Sequence, residues 1–286
     1  MSIQIITDSA SDIVSTQRTD LKVLPIHICF GDAEYLDGVN LSHQDFYNKL
    51  VESDSLPTTS QISPAEFADA FQTVQDAGDT AVVIPMSSKL SGTYQSAVIA
   101  AQDFPGTIYV VDSKNATLGQ RALVEYALQL KQQGLDAPAI AETLDREKNF
   151  IRLVALVDTL EYLKRGGRIS KTAAIAGTML SVKPVLAIKD GEVVILGKAR
   201  GSKQGNNLLV QSIQKSGGVD FDRPFFLGYT GLSDALLQKY IRDSAALWED
   251  AVDHLPVSTI GGTIGTHAGP GAIAVAFFAK DRTAPY

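Results

Sequence analysis

Short β-branched runs that each end in a polar, hydroxyl-rich turn constrain this chain most. "IQII" (3–6) runs into "TDSASD", "TAVVIP" (80–85) into "MSSKLSGT", "GTIYVV" (106–111) into "DSKNATLG", and "LVALV" (153–157) into "DTLEYLKRGG". A strand, a turn and a helical stretch repeated at this spacing predict βαβ crossovers and a parallel sheet. The likeness of "ITDS", "VVDS" and "LVDT" needs no internal repeat, because Asp, Ser and Thr suit helix N-caps and the turns before them. In open parallel sheets ligands gather at the carboxyl ends of the strands. Thr7-Asp8-Ser9, Ser87-Ser88, Asp112-Ser113 and Asp158-Thr159 all fall there.

Other segments read differently. "LKVLPIHICFGDAEYLDGVNLS" alternates around Gly31-Asp32 and predicts a hairpin at a sheet edge. After residue 166, "VKPVLAIKDGEVVILGKAR" predicts two strands joined at Asp190-Gly191. "PFFLGYTG" and "AIAVAFFAK" add strands around the helical "ALLQKYIRDSAALWEDAV". The predicted fold class is α/β with two domains. Residues 1–150 form a mostly parallel sheet with flanking helices, and 151–286 form an α+β domain with a largely antiparallel sheet. No low-complexity linker separates them, so the halves should pack closely.

Composition narrows the function. Of 286 residues, 45% are hydrophobic and 20% charged, an ordinary globular profile. A net charge of −7 argues against a nucleic-acid binder held by phosphate contacts. The single cysteine, Cys29 in "PIHICF", excludes an intramolecular disulfide and reads as a small core residue of a reducing compartment. The start has neither a basic region nor a long apolar one, and "AIAVAFFA" (272–279) is far short of the roughly 20 residues of a membrane helix. The expected location is cytoplasmic. His27, His43, His254 and His267 are scattered without metal-ligand spacing, so no metal site is expected. His254 reads as a surface or helix-end residue. His267 reads as part of a Gly-rich loop, "TIGTHAGPGA", before an apolar strand.

"SSKLSGTYQS" (87–96) is the most chemically suggestive stretch. A Walker loop needs G-x-x-x-x-G-K-[ST], and no such string or G-x-G-x-x-G occurs. A hydrolase elbow needs G-x-S-x-G, and Ser91 has glycine only on its C-terminal side. Residue types still permit a serine hydrolase of Ser91 and His267, with Asp112 or Asp8 as orienter. A helix starting near Ser91-Gly92 would instead aim free N–H groups at an anion. Gly92 would admit a ligand close to the backbone, and Ser91 and Thr93 would add hydroxyls. Helix cap and anion seat use the same donors, and position does not separate them. In "LPTTSQISPAEF", Ser63, Pro64 and Glu66 predict a capping box. Ser63 already serves as the cap, so Thr59 and Ser60 lack a local task and become ligand candidates.

"ITDSASD", "PTTSQISPAEF", "SSKLSGTYQSA", "VVDSKNATLGQ", "LEYLKRGGRIS" through "VKPVL", and "GTHAGPGA" occur in this order along nearly the whole chain. In these motifs the sequence resembles the DegV family. The resemblance implies a non-enzymatic carrier that holds one long-chain fatty acid between two domains and has no cofactor. It implies carboxylate binding by Thr59 and Ser91 with His267 nearby, the Gly92 amide contributing and Ser60 adjacent. It further implies a partner, the catalytic subunit of a fatty acid kinase, which converts the bound acid to an acyl phosphate for phospholipid synthesis. Transient contact with a membrane or an acyltransferase follows from that role. Hydroxyls and amides are expected to hold the carboxylate without a permanent cation. A small-anion sensor is a third reading.

Lys164, Arg165, Arg168, Lys171, Lys183, Lys198, Arg200 and Lys203 concentrate positive charge in an acidic protein. A solvated face accounts for such a run, and so does an acidic partner or a phosphate. With the resemblance, Arg168 and Arg200 are the candidates for kinase docking or acyl-phosphate contact.

Overall fold

The computed structural model describes residues 2–14, 18–53, 55–169, 182–248 and 254–286. The chain runs β1 (Ile3–Asp8), β2 (Leu21–Leu24), β3 (His27–Phe30), β4 (Ala33–Leu36), α1 (His43–Glu52), β5 (Thr58–Ser60), α2 (Pro64–Asp76), β6 (Thr80–Ile84), α3 (Thr93–Ala101), β7 (Ile108–Val110), α4 (Thr117–Gln132) and α5 (Ala137–Glu147). It continues through β8 (Ile151–Leu156), α6 (Glu161–Arg165), β9 (Val182–Lys189), β10 (Glu192–Arg200), α7 (Gly201–Lys215), β11 (Phe226–Tyr229), α8 (Ala235–Asp243), α9 (Ala245–Trp248), β12 (Val257–Thr259), α10 (Gly262–Ala268) and β13 (Ile273–Phe278).

Strands β1, β2, β6 and β7 form an all-parallel sheet in the order β2-β1-β6-β7; the apolar runs of β1, β6 and β7 predict this, whereas β2 comes from the stretch expected to form the edge hairpin. Both faces are covered, which suits β-branched runs rather than alternation. The helix α2 starts on the predicted capping box. Ser63 Oγ accepts from Glu66 N at 3.3 Å, and Ser63 N donates back to Glu66 Oε2 at 2.8 Å.

A second sheet has the order β10-β9-β8-β13-β11-β12 and is antiparallel except for the β11–β12 pair. Asp190 and Gly191 turn β9 into β10 with φ of 52° and 87°, the left-handed pair that two-residue hairpins require. One face of this sheet buries Val154, Val275 and Phe277 against Leu209, Ile213, Leu237 and Trp248. The other face looks toward α4, which packs against strands of both sheets. Tyr126 on α4 meets Phe278 edge-on at 5.3 Å.

Four expectations change. β8 pairs antiparallel with β9 and β13 and does not continue the βαβ series. The direction in which a strand pairs is set by its partners, not by its own apolar run, so "LVALV" suits either direction. The hairpin around Gly31-Asp32 is present but joins β5 in a separate sheet, β4-β3-β5. The helical stretch after residue 234 breaks at Ser244, whose hydroxyl bonds back to Tyr240 O at 2.6 Å. Cys29 is half-buried at that small sheet, not part of the core.

Candidate functional site: an apolar cavity with one polar end

The sheet face turned toward α4 carries small side chains. Along β13, Ile273, Val275 and Phe277 fill the outer core, while Ala274 and Ala276 point to the opposite face. Ala274 stands beside Ala155 of β8 in register. Because side chains alternate across a strand, "AIAVAF" leaves one face thin. The unfilled volume is a cavity of about 900 Å³, counting its mouth, walled by Leu153, Ala155, Leu186, Ile188, Val193 and Ala274 among others.

Polar groups from four separate segments reach this cavity: Thr59, Ser91, Arg168 and His267. β5 presents Thr59. The turn after β6 presents Ser91 and is pinned on both sides. Ser87 N donates to Asn115 O at 2.7 Å, and Ser87 Oγ donates to Gly191 O at the β9–β10 turn at 2.8 Å. Ser87 is therefore an anchor between the two halves rather than a plain turn residue. Ser91 Oγ lies 2.9 Å from Thr93 Oγ1 and accepts from Thr93 N at 3.2 Å. Arg168 follows α6. Its Nε donates to Leu90 O at 3.1 Å and its Nη1 to Gly166 O at 2.6 Å. The guanidinium is thus held in place against the loop that carries Ser91.

His267 sits on α10, not on a loop as its glycines suggested. The glycines serve packing: a Cβ at Gly262 would lie 2.6 Å from Ile28 Cδ1, and one at Gly265 would lie 2.6 Å from Phe46 Cε1. The N-terminus of the helix is capped by two buried carboxylates. Asp37 accepts from Gly262 N at 3.2 Å, Thr263 N at 3.1 Å and Thr263 Oγ1 at 2.5 Å. Asp12 accepts from Gly261 N at 2.7 Å and from the Thr117 hydroxyl. Thr117 itself has φ of 50°, unusual for a β-branched residue.

The Nε2 atom of His267 lies 3.0 Å from Thr59 Oγ1. Its Nδ1 is buried without a hydrogen-bond partner among the described residues. Burial, then the Arg168 charge, pushes the imidazole down to about 4. It is neutral at pH 7 and can donate one hydrogen bond to an incoming oxyanion.

The structure brings together Thr59, Ser91 and His267, expected at the carboxylate, and sets beside them Arg168, expected at a partner or a phosphate. It does not add Ser60, which is exposed and alternates to the other face of β5. Gly92 is close to a protein side chain: a Cβ there would collide with the Gln61 amide, which donates to Ser96 Oγ at 3.1 Å. Arg200 is exposed and does not line the cavity. Lys171 lies outside the described residues. Lys183 pairs with Asp158 at 2.7 Å, and Arg165 with Glu161 at 2.7 Å. The hydrolase arrangement is not assembled, because Ser91 bonds Thr93, His267 bonds Thr59, and among the described residues no carboxylate meets His267 Nδ1. Among the described residues no group of three or more His, Cys, Asp or Glu is placed to hold a metal ion. No described helix is long and apolar enough to cross a membrane.

Fold and site together define an α/β protein with two principal sheets that encloses an apolar cavity ending in hydroxyls, an imidazole and a guanidinium. A family model described as "Uncharacterised protein, DegV family" matches residues 2–280. The chain belongs to the DegV family. Solved structures agree. A DegV family protein from Thermus thermophilus, described for fatty acid binding, is 32% identical with a TM-score of 0.84 over 97% of this chain and 100% of its own. A stearic acid-binding protein from Eubacterium ventriosum is 27% identical with a TM-score of 0.84 over 98% of this chain and 99% of its own. The fatty acid kinase B3 protein of Streptococcus pneumoniae, loaded with linoleic acid, shares the fold at 22% identity and a TM-score of 0.83, over 97% of this chain and 99% of its own.

Proposed function

We propose that this chain binds one long-chain fatty acid and presents it to a partner kinase. The acyl chain lies in the cavity between residues 1–150 and 151–286, and the carboxylate meets Thr59, Ser91, Arg168 and His267. The observation that carries this reading is the polarity of the cavity: apolar side chains wall most of it, while Thr59 bonds His267, and Arg168 both lies near enough to act on His267 and holds the loop that carries Ser91. Burying about 15 methylenes at about 0.8 kcal/mol each yields on the order of 12 kcal/mol before association costs. The chain therefore supplies most of the affinity, and the head group supplies orientation.

A carboxylate that leaves water needs donors in compensation. Two hydroxyls and a neutral imidazole supply hydrogen bonds, and Arg168 supplies charge. This revises the expectation of a head-group site without a permanent cation. Arg168 is tied to two carbonyls, so it neutralises the carboxylate from a fixed position and leaves an oxygen free for phosphoryl transfer.

The partner is the catalytic subunit of a fatty acid kinase, as the family resemblance implies, and the product is an acyl phosphate for phospholipid synthesis in the cytoplasm. The carrier then meets a membrane or an acyltransferase to hand on its cargo. Arg200 and Lys203, exposed at the start of α7, are the candidates for docking an acidic kinase surface. Arg168 belongs to the head group instead.

The test is a titration with palmitate labelled with ¹³C at the carboxyl carbon. One saturable, shifted carboxyl resonance per protein is expected. Ser91→Ala and Thr59→Val should retain the fold and move or lose that resonance. A resonance identical in wild type and both variants would show that the carboxylate sits elsewhere.

A further inference from the structure

A second concavity lies beside the first. Asp12 and Thr117 are hydrogen-bonded to each other, and they stand between the two spaces: Thr117 lines the apolar cavity, Asp12 the other one. The second groove has about 1580 Å³ of space, counting its open mouth. Its walls include the start of α1 (Ser42, His43), Arg121 and Glu125 on α4, Arg18, the end of β11 (Tyr229) and β12 (Ser258, Thr259). Nothing in the fatty-acid reading uses these residues.

Arg121 is the unusual member. It is half-buried, its Cζ lies 4.4 Å from the Phe226 ring centroid, and its Nη1 donates to Ser258 Oγ at 2.6 Å. Its Nε is buried without a hydrogen-bond partner among the described residues. Among the described residues no carboxylate pairs with it. The neighbouring acids are otherwise engaged: Glu125 pairs with Arg18 at 3.2 Å, and Asp12 accepts from Thr117 and Gly261. Burial holds the Arg121 guanidinium below its ordinary value, ahead of the opposing pull of Glu125 and Asp12. A desolvated guanidinium whose nearby carboxylates are bonded to other groups is costly, and a directly bonded anion lowers that cost.

The hydroxyls around it are set to donate. Ser258 Oγ already accepts from Arg121, and the Tyr229 hydroxyl oxygen accepts from Thr259 Oγ1 at 3.1 Å. Each hydroxyl therefore has its own proton to offer. A guanidinium edge and two O–H donors facing one groove match an ion with several acceptor oxygens.

We propose that this groove is a second binding site, separate from the fatty-acid cavity, for a phosphate group held by Arg121 with the Ser258 and Tyr229 hydroxyls. The group is either free phosphate or a phosphomonoester carried by a larger molecule.

The experiment titrates inorganic phosphate and methyl phosphate at constant ionic strength, following the amide resonances of residues 119–123 and 257–259 by NMR. The expected result is saturable binding that Arg121→Gln weakens roughly tenfold or more. The Ser258→Ala/Tyr229→Phe pair weakens it less, and Ser91→Ala leaves it unchanged. Tighter binding of methyl phosphate assigns the site to an ester, and tighter binding of phosphate assigns it to the free ion. Absence of saturable binding, or equal affinity in the Arg121→Gln protein, overturns the proposal. Should Arg121→Gln fail to fold, equal affinity of wild type and the Ser258→Ala/Tyr229→Phe protein overturns it instead.

Discussion

Thr59 Oγ1 and His267 Nε2, 208 residues apart in sequence, lie 3.0 Å from each other at the polar end of the cavity. This bond joins β5 of the small sheet to the helix that precedes β13. It places one hydroxyl and one neutral imidazole where a carboxylate arrives.

Thr59→Val removes the hydroxyl and keeps the shape. His267 Nε2 then loses its partner, a loss of about 1–3 kcal/mol for a buried polar atom. Fatty acid affinity should fall roughly tenfold or more, while the circular dichroism spectrum stays unchanged. Isothermal titration with palmitate checks this, and unchanged affinity would remove Thr59 from the site.

Ala155→Leu tests the thin face of the second sheet. The larger side chain enters the cavity, so it fills a void instead of straining a packed core. Each ligand methylene it expels costs about 0.8 kcal/mol of binding. Long acids should lose more affinity than short ones, with little change in melting temperature. Equal losses across a series of chain lengths would place Ala155 outside the acyl path.

Gly92 and Gln61 should behave as a coupled pair. Gly92→Ala drives its Cβ into the Gln61 amide and breaks the bond to Ser96. The single variant should lose on the order of 1 kcal/mol of stability. Adding Gln61→Ala relieves the collision, so the double variant should lose less than the sum of the singles. Strict additivity in urea denaturation would show that the two side chains do not contact each other.

Asp12 predicts a pH dependence. Burial raises its carboxyl from 3.8 to about 7, against the downward pull of the bonds from Thr117 and Gly261. The folded chain holds this proton more tightly than the unfolded chain. The contribution of Asp12 to stability is therefore fully present below about pH 3.8 and is lost as pH rises toward about 7. His267, lowered from 6.5 to about 4, works in the opposite direction: its contribution is lost as pH falls through that range. Subtracting wild type from Asp12→Asn cancels the His267 part. The stability of Asp12→Asn relative to wild type should rise across about pH 4 to 7 and level off above it. A flat difference in denaturation midpoints would contradict the buried-acid reading.

Much of the fold could be read locally. The Ser63–Glu66 capping box, the Asp190-Gly191 turn and the runs of β1, β6 and β7 depend on neighbours in sequence, and all are present. The pairing of β8 was not legible, because partners depend on distant strands rather than on the strand's own pattern. The glycines of "TIGTHAGPGA" lower helix propensity, so the sequence alone places His267 in a loop. Their purpose, close approach to Ile28, Phe46 and Tyr47, appears only in three dimensions. Thr59 and Ser91 were recognisable as polar residues without a local task. The place of Arg168 at the cavity is not legible in sequence, since only the fold shows its contact with Leu90 O. The cavity does leave one sequence signal: "AIAVAF" alternates alanine with large side chains, which marks a strand with one thin face.

The most direct test of the central claim is native mass spectrometry of the purified recombinant protein. The account predicts a mass increment of one long-chain fatty acid per chain, released by organic solvent and depleted in the Ser91→Ala protein. A chain that carries no fatty acid and gains none on incubation with palmitate would contradict it.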